Sequence, residues 1–340
     1  MRIHKLESTE AFIAIDLVGA EASSGPVRWA KKVLQGGAKD LARSQTYTYA
    51  ALGMRRGGAS AGISADPDAR AAAIEAFNVD IAPLVADGTY LPDPAKGVSA
   101  DDLAAVLSND PRNGARLGDF AARCDGLSAA VTAEALVGLT GRTVAIEGFG
   151  ANGPALAAAV VERGATITAV STATGTVTSE SGFDADTLAQ AHAAAGADCV
   201  NGLGDVGPPM AVFGHEADIV FAGSKTGIVD HTVARQLTES TAMVSSGRLA
   251  MTARGLAVLR AAGVAAPADF VALAGSTIAA WADPARSDDE VLDAVVGTVT
   301  ELGADHGRHD DGAFLAACYA AESFLSTWQD DLPFGRPLAP

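Results

Sequence analysis

Six residues constrain this chain more than any other feature: Gly148-Phe149-Gly150-Ala151-Asn152-Gly153. They follow the apolar run TVAI directly and precede a helical pattern directly, so the G-x-G-x-x-G spacing falls in the strand–loop–helix context that gives it meaning. The first glycine makes the turn, the second lets a pyrophosphate approach the backbone, and the third allows close packing of helix on strand. The free N–H groups and positive dipole end of the helix that follows then favour a diphosphate. In a chain with 37 glycines the motif alone arises easily by chance. What raises it is the neighbourhood.

That neighbourhood alternates. Residues 128–139 and 154–163 carry apolar residues at helical spacing, and FDADTLAQAHAAAG is a capped helix. GRTVAIEGFG, ATITAVS, ADIVFAG and TAMVSSG are short apolar strands. Strands alternating with helices at this interval imply an α/β fold with a parallel, doubly wound sheet. Upstream, 27–45 and 68–85 have helical spacing, while GMRRGGASAGIS is too rich in glycine for an element interior and is expected to be a tight crossing. Ser99 or Asp101 is placed to cap a helix beginning DDLAAVL, and SNDPRNGARLGD is a polar loop. The tail, from about Ser287, has two amphipathic helices separated by GADHGRHDDG and a Pro-rich end, LPFGRPLAP.

A nucleotide of the NAD type calls for Asp or Glu about 20 residues beyond the glycine loop, at the end of the second strand. Here that end is Ala169-Val170-Ser171-Thr172-Ala173-Thr174-Gly175, hydroxyls without an acid. Ser171 and Thr172 are therefore the candidate ribose contacts. No Lys or Arg follows to hold a 2′-phosphate, and NAD and NADP both stay open. With 24 Lys+Arg against 41 Asp+Glu, the net charge is −17, which repels phosphate backbones and anionic lipid. Nucleic acid and membrane surfaces are excluded as partners, and a small-molecule substrate is expected. The start shows no signal-peptide pattern. Cys124, Cys199 and Cys318 have neither CxxC nor metal spacing, so a reduced, cytoplasmic protein is expected, with no metal.

Five segments together resemble the glutamate/leucine/phenylalanine/valine dehydrogenase family, in the family's order and across nearly the whole chain. TYTYAALGMRRGGASAGI is similar to the lysine-bearing segment, YLPDPAKGVSADDL to the segment with the catalytic Asp, and GRTVAIEGFGANG to the cofactor strand and loop. AVTAEA supplies Thr132, the counterpart of the Thr that faces the nicotinamide amide, and PADFVALAGSTIAAW is similar to PDFLANAGG. The resemblance implies a substrate and oligomerisation domain over 1–128 plus 301–340, and a Rossmann domain over 129–300. It also implies C-terminal helices that return to the first domain, a nicotinamide cofactor and a homo-oligomer.

The same resemblance exposes losses. The family's two lysines and catalytic Asp fall on Thr48, Ser60 and Ala95, and two substrate-region Asn positions fall on Leu273 and Arg248. Hydroxyls at their ordinary pKa and a methyl group do not replace two ammonium groups and a carboxylate. Substitutes lie nearby, each with a blander reading. Lys225 follows the strand DIVF and is either a new carboxylate or carbonyl ligand or a solvated loop lysine. Lys96 is a displaced charge beside the lost Asp, and Asp93 is a relocated acid or a turn residue of LPDP. Arg248 and Arg28 are candidates for holding a substrate carboxylate, since guanidinium binds it bidentately. Ser60 has no His or other base spaced to activate it as a nucleophile. The His306, His309, Asp305 and Asp310 group is a solvated loop rather than a metal site. The expectation is an NAD(P)-dependent oxidoreductase with a rebuilt substrate pocket; the alternative is a catalytically silent, nucleotide-binding paralogue acting as partner or sensor.

Overall fold

The computed structural model describes residues 1–307, 309–330, 332 and 335–337. Most of the expected Pro-rich end, including Pro333, Phe334, Leu338, Ala339 and Pro340, lies outside the described residues. The chain forms two compact units. One comprises Met1–Phe120, Ala280–Pro284 and the described residues from Cys318 onward; the other comprises Ala121–Ala279 and Ala285–Ala317. The division falls at 120/121 rather than 128/129, at the start of the long helix Asp119–Val137, which belongs to the second unit from its third residue. The helix Asp288–Gly307 also belongs to the second unit, so the chain returns to the first at Ala280–Pro284 and again from Cys318, not at 301.

The first unit is built on a mixed sheet of β1 (Arg2–Lys5), β2 (Ala11–Ile15), β3 (Ser23–Ala30), β4 (Gly57–Ser64) and β5 (Leu91–Pro94), in the order β1-β2-β4-β3-β5. β4 lies antiparallel to β2 and parallel to β3, and β3 is parallel to β5. Two expectations change here. Residues 27–30 are strand, and the helix begins only at Gln35, because pairing with β4 and β5 overrides the short helical spacing of VRWA. GGASAGIS is not a crossing but β4, buried along its entire length. Its glycines serve packing: a Cβ on Gly58 would stand 1.9 Å from Ala42 O and 2.4 Å from Thr46 N. The helix Gln35–Ala51 therefore rests directly on the strand backbone, and Gly58 N donates to Thr46 Oγ1 at 3.0 Å. Ile13, Ile63, Phe77, Ile81 and Leu91 close the core, with Leu103 beyond them. Ser99 caps the short helical stretch after β5: its Oγ accepts from Asp102 N, and Asp102 returns the bond to Ser99 N.

The second unit holds β6 (Thr143–Glu147), β7 (Thr166–Ser171), β8 (Thr176–Phe183), β9 (Ile219–Ala222) and β10 (Ala242–Ser245), in the order β10-β9-β6-β7-β8. β6, β7, β9 and β10 are parallel, and their continuous apolar runs suit strands covered on both faces. β8 is an antiparallel edge strand that the sequence pattern does not announce, since TVTSESGF is polar at alternate and then consecutive positions. Asp184 caps the helix Ala185–Ala195 by accepting from Thr187 N at 2.8 Å. Val144, Ile146, Leu156, Val160, Ile167 and Phe221 form the heart of the core. The stretch GADHGRHDDG separates the two C-terminal helices only through its second half, in which residues 309–312 form a turn. Its first five residues complete the helix Asp288–Gly307, and His306 is buried in the last turn. Among the described residues no helix is long and apolar enough to cross a membrane.

Candidate functional site

β6 delivers the chain to Gly148 at φ +79°, a left-handed conformation that a side chain disfavours. A Cβ there would also stand 2.6 Å from Ser224 N. Gly148 N and Phe149 N both donate to Ser171 O, at 3.0 and 2.8 Å, tying the loop to the end of β7. Gly150 is different: a Cβ would meet nothing nearer than Gly148 O at 3.8 Å. It is bare backbone facing open space, a cradle that a side chain would fill. Gly153 makes room for the buried Phe149 ring, 2.9 Å from its would-be Cβ, rather than for the strand as the motif implies. Phe149 meets His192 edge-on at 5.7 Å. Ala151 is exposed, and Asn152 Nδ2 donates to Ser246 O. The helix Gly153–Glu162 starts from this loop, its N-terminus adjoining the cradle.

Three further residues at the carboxyl ends of the parallel strands escaped the sequence reading. Glu147 Oε2 accepts from Gly223 N at 3.0 Å and Ser224 N at 3.1 Å, bracing the loop after β9. Ser245 Oγ and Ser246 Oγ are buried without a hydrogen-bond partner among the described residues. These orphan hydroxyls lie at the sheet's carboxyl edge, and the open backbone at Gly150 leaves room that a pyrophosphate would fill. Small hydroxyl residues after a strand leave no spacing signal by which to find them.

The expected ribose contacts face inward. Ser171 is buried, and Thr172 Oγ1 donates to Ala197 O at 2.6 Å while accepting from Thr174 N at 3.2 Å. Thr132 is fully buried in its helix, with Oγ1 donating to Ser128 O at 2.9 Å. Lys225 lies exposed in the turn after β9. Arg248 is half-buried, with Nη2 3.5 Å from Ser276 Oγ. Among the described residues, no three His, Cys, Asp or Glu side chains gather as a metal-binding group.

In the first unit the positions matched to the two lysines are sealed. Thr48 and Ser60 have zero exposure; Thr48 Oγ1 donates to Ser44 O at 3.2 Å and Ser60 Oγ to Pro26 O at 3.0 Å. Ala95 is half-buried just past β5, and Lys96 is exposed. Asp93 is a strand residue, not a turn former, and its carboxylate is paired with Arg112. Arg112 also holds Asp110 through Nε and Nη2, the latter at 2.8 Å, and donates to Pro92 O. Burial opposes the Arg112 charge, but Asp93 and Asp110 more than offset it and hold the guanidinium above its ordinary pKa. Arg28, on β3, is half-buried with Nε unpartnered among the described residues, and burial pulls its pKa below the usual arginine value. Tyr90 is buried near it, and Tyr49 is buried elsewhere in the same unit, each with its polar tip engaged. Tyr90 OH donates to Gly25 O, and Tyr49 OH meets Ser24 Oγ and accepts from Trp281 Nε1 at 2.9 Å. Arg56 stacks 3.6 Å over the Trp281 ring.

A family model described as Glutamate/Leucine/Phenylalanine/Valine dehydrogenase matches residues 126–285. Solved structures extend the likeness over the rest. The hetero-hexameric glutamate dehydrogenase of Thermus thermophilus, in a Leu-bound form, is 20% identical with a TM-score of 0.78, covering 95% of this chain and 88% of that one. The glutamate dehydrogenase of Peptoniphilus asaccharolyticus is 15% identical with a TM-score of 0.71, over 94% and 87%. The L-tryptophan dehydrogenase of Nostoc punctiforme is 18% identical with a TM-score of 0.65, over 96% and 97%. The chain therefore has the fold of these dehydrogenases, and its residues 126–285 match the model of the Glu/Leu/Phe/Val dehydrogenase family.

Proposed function

We propose that this chain is an NAD(P)-dependent oxidoreductase whose substrate pocket has been rebuilt, so that it no longer acts as a standard amino-acid deaminase. One observation carries the reading: Gly150 is bare backbone facing open space, in a loop tied to the ends of β7 and β10. When bound, a nicotinamide cofactor supplies the hydride acceptor or donor. The residues of the chain do the rest. The loop Gly148–Gly153 cradles the pyrophosphate with main-chain N–H groups, and Ser245 and Ser246 offer hydroxyls at the same edge. Arg28 is the cation best suited to a substrate carboxylate, because its desolvated guanidinium gains from a counter-charge and has an N–H to give. Arg248 is the second.

Proton transfer is the weak link. Thr48 and Ser60 donate to main-chain carbonyls, and Asp93 is already paired with Arg112. Lys96 and Lys225 keep exposed ammonium groups. This supports a reaction on a carbonyl, alcohol or imine that asks less of a general acid–base than oxidative deamination does. A cytoplasmic homo-oligomer built through the first unit is part of the same proposal, and light scattering at micromolar concentration tests it.

The deciding experiment pairs a fluorescence titration of NADH and NADPH with a hydride-transfer screen over carbonyl, alcohol and imine substrates. Binding with turnover is the expected result. Binding without any turnover returns the chain to a silent nucleotide sensor, and no binding overturns the cofactor assignment.

A further inference from the structure

We infer that Asp198 provides the ribose-binding carboxylate that the end of β7 lacks, and that the site therefore selects NAD(H) over NADP(H); this rests on the dinucleotide reading above. Ser171 O, the last carbonyl of β7, accepts from both Gly148 N and Phe149 N, so the end of β7 and the glycine loop are one structural unit. The chain then turns back sharply into β8. Thr172 N donates to Gly175 O at 2.9 Å, and Thr174 N donates to Thr172 Oγ1 at 3.2 Å. The turn itself carries no charged side chain.

A second segment covers it. Residues Gly196–Gly202 form a 3-10 helix directly after the helix Ala185–Ala195. Thr172 Oγ1 donates to Ala197 O at 2.6 Å, and Thr174 Oγ1 donates to Asp198 Oδ1 at 2.7 Å. His192, one turn earlier, rests edge-on against Phe149 of the glycine loop. Three contacts thus bring Asp198 to the carboxyl edge of β7, where the sheet topology presents adenosine ribose. The side chain is exposed, and among the described residues its hydrogen bond from Thr174 engages Oδ1, leaving Oδ2 to a ligand. A carboxylate there accepts hydrogen bonds from ribose hydroxyls and repels a 2′-phosphate carrying up to two negative charges. Reading acids along β7 alone misses it, because the donor strand and the acid lie 24 or more residues apart in sequence.

The test is calorimetric or fluorescence titration of NADH and NADPH against the full chain, Asp198→Asn and Thr174→Val. The native chain is expected to prefer NADH by at least about tenfold. Asp198→Asn keeps the size and removes the charge; it should weaken NADH several-fold, strengthen NADPH, and collapse the ratio. Thr174→Val, which removes only the partner hydroxyl, should leave the NADH/NADPH ratio in favour of NADH. Equal affinity for the two nucleotides in the native chain, or an unchanged ratio in Asp198→Asn, overturns the assignment while leaving dinucleotide binding intact. Binding of neither nucleotide by the folded native chain overturns the dinucleotide reading and this inference with it.

Discussion

The two units treat their polar positions in opposite ways. At the carboxyl edge of the second sheet, the proposed function rests on main-chain N–H groups, a bare glycine and two orphan serine hydroxyls at the ends of the parallel strands. In the first unit, the matched positions Thr48 and Ser60 have turned their hydroxyls onto nearby carbonyls, and Asp93 has joined an arginine network. A site made from backbone persists as long as the fold does. A site made from side-chain charge can be lost one substitution at a time, as the satisfied hydroxyls of Thr48 and Ser60 illustrate. Under the proposed function, ligand binding and chemistry have separate tolerances within one chain.

The largest test of that contrast is catalytic. Oxidative deamination of glutamate, leucine, phenylalanine and valine should lie at least about 10²–10⁴-fold below what a general acid–base would support, because the first unit offers none at the matched positions. Spectrophotometric NAD reduction at saturating amino acid checks this, and robust turnover with any of the four would break the comparison. Next comes the cradle. Gly150→Val should weaken NADH by about a hundredfold, some 2.7 kcal/mol, with an unchanged melting temperature, since a Cβ there makes only an ordinary contact with Gly148 O at 3.8 Å. Gly148→Val should lower the melting temperature as well, because that residue has φ +79° and abuts Ser224.

The first unit offers the converse. Gly58→Ala should cost about 1–3 kcal/mol in urea unfolding, since its Cβ collides with Ala42 O, while the second unit's NADH affinity is unmoved. Smallest is a pH effect. Burial lowers the pKa of His306 below its ordinary 6.5, with Asp305 opposing and His309 reinforcing the shift. The unfolded chain then binds more protons below 6.5, so stability should fall as pH drops from 6.5 towards the folded pKa. Unfolding curves of the native chain and His306→Gln between pH 5 and 8 should converge at the upper end and separate at the lower (roughly the window in which histidine titrates).

What could be read from residues alone follows the same division. The parallel strands β6, β7, β9 and β10 announce themselves as apolar runs between helices, and the glycine loop by its spacing. β4 stayed hidden because a strand of glycines, alanines and serines has neither alternation nor β-branched bulk; only the helix lying on it explains why those residues are small. β8 stayed hidden because an exposed edge strand need not be apolar. In the site, Gly150 was legible because its role depends on one atom being missing. Arg112 was not, since its partners Asp93 and Asp110 come from β5 and a loop, and SNDPRNGARLGD looks solvated until Arg112 is found 5% exposed.

The helix Asp119–Val137 carries one more lesson, for anyone who would remodel this chain. A Cβ on Gly126 would fall 2.4 Å from Asn152 O, and one on Gly275 would fall 2.1 Å from Cys124 O. One turn of helix is thus clasped between the start of the helix after the glycine loop and the stretch leading to Ser276, backbone against backbone. A library that varies the surroundings of the glycine loop will find these two positions closed to every other amino acid. Redesign of the loop's surroundings is thereby confined to residues around its rim.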